Sequence, residues 1–264
     1  MKCLLLAALI TSVSFVLAPA ANLYAGVVMT ETSITSGPTG ETSSLDRTVY
    51  VQGNKQKVER SGVTTITDLD NSIIYIIDNK DRAYTEVPLH ALGSSEQADA
   101  RGEIIEPFEN IEPGDARAET VQLNKTGETR VIADHPCNEY RTSEGNKLER
   151  VTISACVSTS APGAKEVSDF QRKMAVRLSG RESERLSGND SAMLMLEKQS
   201  VLSFRVPDLS RHQAYRTGSL LAKTRVNQIQ VKTLSAATFK PPKGFSKMQN
   251  RPGSKVPASF SQCT

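Results

Sequence analysis

Tryptophan is absent from this chain, and aromatic residues make up only 5% of it. Stacking platforms for bases or sugars are therefore thin. Strong charge of one sign is also missing: 32 Lys and Arg face 29 Asp and Glu, a formal +3. A balance so close argues against nucleic acid as a main partner. There are three histidines, His90, His135 and His212, and none has another at metal-ligand spacing. His135-Pro136-Cys137 falls short of the three or four convergent ligands that zinc needs. No metal or other cofactor is expected. The G-x-S-x-G elbow, P-loop, H-E-x-x-H and dinucleotide fingerprints are all missing. The expectation is a protein that is not an enzyme. A hydrolase with a dispersed triad stays as a distant alternative, because triads are recognised by geometry.

Long apolar runs are scarce as well, with one exception. After Met1-Lys2, residues Cys3 to Leu17 carry no charge, and Ala18-Pro19-Ala20-Ala21 and Ala25-Gly26 follow. This pattern is that of a secretory signal peptide over residues 1–25, too short and wrongly flanked for a membrane anchor. Cleavage after Ala20 and cleavage after Ala25 both fit. Cys3 precedes the apolar core instead of following it, so a soluble periplasmic or secreted product is expected. No other stretch approaches the roughly 20 apolar residues of a membrane helix.

What remains suits one mainly β domain, residues 26–245. Strand patterns run over Val27–Thr35, Thr48–Gln52, Lys55–Arg60, Val63–Leu69, Ile73–Ile77 and Arg82–Val87, with Gly53-Asn54 as one turn. Ile73-Ile74-Tyr75-Ile76-Ile77 is apolar on both faces, which predicts a central strand covered from two sides. Residues 90–118 form an acidic insert rich in Gly and Pro. Strands resume over Glu119–Asn124, Glu128–Thr142 and Lys147–Val157. Over Lys165–Leu178 the period changes: Val167, Phe170, Met174 and Leu178 mark one stripe of an amphipathic helix. Ser187-Gly188-Asn189-Asp190 resembles a stop and a cap, predicting a second, shorter helix over Ser191–Gln199. Strands return at Val201–Val206, Leu220–Val226 and Ile229–Leu234. Residues 246–264 form a basic, irregular tail. From Phe239 onward the chain has five Lys and Arg and no acid, which fits a solvated tail or a contact with an anionic membrane surface.

The expected architecture is an incomplete, strongly curved antiparallel β-barrel with two late helices packed on its concave side. An ordinary α+β domain with a filled core has the same periodicity.

Cys137, Cys156 and Cys263 remain beyond the signal segment. A hairpin turning at Gly145–Leu148 sets Cys137 opposite Cys156, Tyr140 opposite Ile153 and Thr142 opposite Val151. This register predicts a Cys137–Cys156 disulfide of structural role. Cys263 is left free, paired between chains, or competing for Cys137. The Asn124 and Asn189 sequons matter only in a host that glycosylates. Met193 and Met195, like the helix stripe, are core residues by default, although Met also adapts to irregular apolar ligands.

Several segments together resemble a family. They are Val49-Tyr50-Val51-Gln52-Gly53-Asn54-Lys55, Thr65-Ile66-Thr67-Asp68, Tyr84-Thr85-Glu86-Val87-Pro88, Cys137-Asn138-Glu139-Tyr140 and Phe239-Lys240-Pro241-Pro242-Lys243-Gly244-Phe245. They are similar to a bacterial exported family of unknown function within the LolA-like superfamily of lipoprotein carriers. The resemblance implies an incomplete barrel wrapped on helices with a hydrophobic cavity, and lipid or a lipoprotein's acyl chains as partner. Tyr140, Ile153, Val167, Phe170, Met174 and Leu178 are the expected ligand-lining residues. The competing expectation is an envelope interaction protein whose core is filled.

Overall fold

The computed structural model describes residues 25–93, 123–146, 148–179, 192–207 and 215–248. The signal segment, most of the acidic insert, the cap motif at 187–190, His212, Cys263 and the tail beyond 248 lie outside them.

The first half is a meander of two 11-residue strands, β1 (Gly26–Ser36) and β2 (Thr42–Gln52), and four six-residue strands, β3 (Lys55–Arg60), β4 (Val63–Asp68), β5 (Ile73–Asp78) and β6 (Ala83–Pro88). A short 3-10 helix, Leu89–Gly93, follows. The second half has the strands β7 (Asn124–Ile132), β8 (His135–Gly145), β9 (Glu149–Ser158), β10 (Leu194–Pro207) and β11 (Tyr215–Lys232). Helix α1 (Ala164–Ser179) stands between β9 and β10. The two-residue β12 (Ser246–Lys247) closes the order β12-β6-β5-β4-β3-β2-β1-β11-β10-β9-β8-β7 in one sheet. All neighbours are antiparallel except β12, which runs parallel to β6.

The sheet is open at β12 and β7 but curved. Ile74 of β5 and Ile132 of β7 belong to one core cluster with the helix residues Val167 and Phe170. On a flat sheet in this strand order those two strands would be roughly 40 Å apart at about 4.8 Å per step. The sheet therefore bends around the helix. Ile73–Ile77 is covered from both sides as its composition predicts. Ile74 packs in the helix-side cluster, while Ile77 packs in a second cluster with Val28, Ile66 and Phe239. The second cluster is sealed by the C-terminal segment, where Arg82 stacks over Phe245.

Four expectations are corrected. Among the described residues there is one α-helix, not two. Residues from Leu194 onward are strand, and Leu196 is an extra residue between the pairs Met195–Val157 and Glu197–Cys156. This bulge buries Leu194, Leu196 and Glu197 in succession, a spacing that regular alternation does not produce. The expected strand Glu128–Thr142 is two strands joined by a tight turn at Ala133-Asp134, both at positive φ. Leu220–Val226 and most of Ile229–Leu234 fall in one strand of 18 residues, which ends at Lys232 and is bulged at Asn227 beside Thr30/Glu31. Finally, the β8–β9 register is shifted by two residues. Cys156 stands opposite Glu139, Tyr140 opposite Ala155, and Thr142 opposite Ile153. A two-residue shift keeps every side chain on its own face. The Cys137–Cys156 disulfide therefore still forms, with Cα atoms 5.4 Å apart.

Candidate functional site

The apolar seam lies between α1 and the sheet. It begins at Gly163, whose φ of +76° admits almost only glycine, and a Cβ there would meet Val27 at 2.2 Å. Ala161 and Ala164, both buried, keep the entry close to the sheet. Val167 and Phe170 are then fully enclosed, while Met174 and Leu178 one and two turns later are half-buried against the same cluster. Polar ties hold the outer face. Glu166 accepts a hydrogen bond from the Gly53 amide. Lys173 Nζ donates to Asn54 Oδ1 at 2.7 Å, and Arg177 Nη1 donates to Ser72 Oγ at 3.0 Å. The helix is thus fastened to the β2–β3 and β4–β5 turns.

Of the expected lining residues, the fold brings Val167, Phe170, Met174 and Leu178 together, with the Cys137–Cys156 disulfide beside them in the same cluster. Tyr140 and Ile153 lie on the opposite face of β8 and β9 from the cysteines, because odd residues of β8 share a face with even residues of β9. They do not meet the helix stripe.

Sequence reasoning did not find a charge network on the disulfide face. Glu139 and Glu197 are both buried. Arg130 Nη2 reaches Glu197 Oε1 at 2.8 Å, and Arg141 Nη2 reaches Glu139 Oε1 at 2.7 Å. Lys223 and Arg225 approach Glu197 Oε2 at 3.1 and 3.7 Å. Burial pushes the Glu197 carboxyl up, but Arg130 and Lys223 more than offset it and hold the group below its ordinary value. Four strands, β7, β8, β10 and β11, supply these residues, and no local spacing signals the convergence. Asp68 behaves in the same way: burial raises it, and Lys55 and Asn71 bring it below the usual carboxylate value. Tyr50 is pushed up to about 12 by burial and by its hydrogen bond to Glu59.

Two clefts open elsewhere. One of ≈ 380 Å³ lies by Tyr75, Tyr84, Phe239 and Phe245, with Asp68 and Lys55 at its edge. The other, ≈ 700 Å³, lies at the far ends of β9, β10 and β11. Among the described residues no group of three or more His, Cys, Asp or Glu is gathered to hold a metal. Among them, too, no helix is long and apolar enough to cross a membrane.

No family model matches the chain, and no curated protein matches it. Solved structures similar to it include PNGF-II (10% identity, TM-score 0.34), covering 86% of this chain but only 31% of that one. Another is a putative outer membrane lipoprotein-sorting protein domain from Vibrio parahaemolyticus (7% identity, TM-score 0.32), with 82% and 89% covered. A third is a LolA superfamily protein from Nitrosomonas europaea (8% identity, TM-score 0.30), with 82% and 90% covered. The third carries the superfamily name that the sequence segments resemble.

Proposed function

We propose that this chain is a non-enzymatic binding protein of the cell envelope, taking an apolar ligand such as a lipid or the acyl chains of a lipoprotein. The observation that carries the reading is the graded seam beneath α1. Its first half is locked by Val167 and Phe170, while Met174 and Leu178 remain half-buried. Lifting the second half of the helix exposes an apolar slot without unfolding the sheet. Each buried methylene then contributes about 0.8 kcal/mol, so an acyl chain binds with no specific polar partner. The leader-like N-terminus supports an exported protein, and so does the disulfide, which persists in oxidising compartments. In this reading the basic tail, residues 246–264, adds contact with an anionic membrane surface.

The test is native mass spectrometry of protein purified from its own envelope, with fluorescent fatty-acid titration of wild type and of M174D/L178D. A co-purifying lipid, or uptake that the double variant loses, supports the reading. A bare protein that takes up no fatty acid sinks it. The second reading, an envelope interaction protein with a filled core, would then stand. It is favoured by the complete enclosure of Phe170 and Leu196.

A further inference from the structure

The first half of the sheet is covered on both faces, by α1 on one and by the C-terminal segment on the other. The outer parts of β8 to β11 have neither cover among the described residues. There the ladder registers sort the side chains cleanly, since no irregularity interrupts β8–β9 or β10–β11, and β9–β10 shifts only at Leu196. One face carries Arg141, Arg150, Arg205, Lys223 and Arg225 against two acids, Glu139 and Glu197. Three of these cations are spent on the buried carboxylates. Arg150 and Arg205 are not: both are exposed, and among the described residues neither joins an ion pair.

These two arginines line the ≈ 700 Å³ cleft at the tip of the sheet together with one acid, Glu149, whose register position is on the opposite face. Arg150 stands opposite Ser203, Ser203 opposite Ser219, and Arg205 opposite Thr217, so two guanidiniums and three hydroxyls share one patch of one face. The cleft's size falls within the roughly 300–1,000 Å³ of small-molecule sites. Guanidinium forks grip tetrahedral oxyanions with paired N–H donors, and hydroxyls satisfy the remaining oxygens. We propose that this cleft is a phosphate-ester site, with Arg150 and Arg205 as its charged clamp and Ser203, Thr217 and Ser219 as its neutral donors. It is separate from the seam under α1 and does not depend on that seam's function. A soluble phosphate monoester and a phospholipid headgroup present the same chemistry to it.

The experiment titrates the full chain with glycerol 3-phosphate by calorimetry. In a second arm the chain is sedimented with phosphatidylglycerol vesicles, using phosphatidylcholine as background. The variants are R150Q/R205Q and K80Q/K232Q. The latter removes the same charge from exposed positions remote from the cleft. Circular dichroism checks that each is folded, and R150K/R205K keeps the charge while losing the fork. The expected result is binding in at least one arm, weakened about tenfold or more in R150Q/R205Q, intermediate in R150K/R205K and unchanged in K80Q/K232Q. Arginine-dependent binding of the monoester identifies a soluble ligand, and of the vesicles alone a lipid headgroup. Absence of binding in both arms overturns the proposal. So does equal loss in both charge-removing variants, which would mark a general charge effect.

Discussion

Cys156 stands opposite Glu139 in the β8–β9 ladder, yet its disulfide closes on Cys137, two residues earlier along β8. The same face therefore carries the covalent link and, one step further, the buried carboxylate that Arg141 and Arg130 cover. The disulfide belongs to the helix-side core and ties the outer wing of the sheet to it.

Removing that link should weaken the whole domain. With the cysteines 19 positions apart in sequence, the chain-entropy model gives about 3 kcal/mol. Urea unfolding of C137A/C156A against wild type should show a loss near this size. A non-reducing peptide map of wild type should contain the 137–156 linked fragment, and its absence would remove the assignment.

The helix seam should respond unevenly. Phe170→Ala opens a cavity in the enclosed half and should cost about 3–5 kcal/mol. Met174→Ala, at the half-buried end, should cost less than about 1.5 kcal/mol. Equal costs in denaturant unfolding would mean that the two halves are equally locked, against the proposed lifting of the helix's second half.

Gly163→Ala should destabilise by about 2 kcal/mol or more. The new Cβ meets fully buried Val27, and the positive φ disfavours any L side chain. Thermal unfolding measures it, and Val27→Ala in the same chain should relieve only the steric part.

Acid should unfold the protein through Glu197 and Asp68. Both are held below their ordinary values of 4.5 and 3.8, so the unfolded chain binds protons that the folded one refuses. The stability these groups contribute is present above those ordinary values. It is lost as pH falls through the lower folded ones. Urea midpoints measured from about pH 6 down to about pH 3 should decline, and Glu197→Gln should flatten the slope. An unchanged slope would show that Glu197 does not carry this linkage. At neutral pH Glu197→Ala should cost about 2–3 kcal/mol. The partly exposed Arg130 and Arg225 keep water after losing their partner, which puts the figure below that of a fully buried pair.

The strands of the first half were legible because turn residues such as Gly53-Asn54 separate them and β-branched residues fill β4 and β5. The helix was legible because Val167, Phe170, Met174 and Leu178 recur at its period. The disulfide was also legible, since face parity survives a two-residue slip. The stretch around Met195 was not, because a bulge abolishes the alternation that marks a strand. The Ala133-Asp134 turn was hidden by residues that rarely take positive φ in pairs.

Taken alone, the sequence determined what depends on neighbours along the chain: the mainly β class, the amphipathic helix, the Ile73–Ile77 strand with two apolar faces, and the parity that joins Cys137 to Cys156. Only the tertiary structure decided which faces meet. It turned Tyr140 and Ile153 away from the helix, gathered Glu139 and Glu197 under cations from several strands, and set Arg150 and Arg205 in one cleft with no ion pair among the described residues. The physical reason is that periodicity reports whether a side chain points up or down from its own strand. Which side becomes interior depends on curvature, bulges and long-range register, and these are set by packing between segments far apart in the chain.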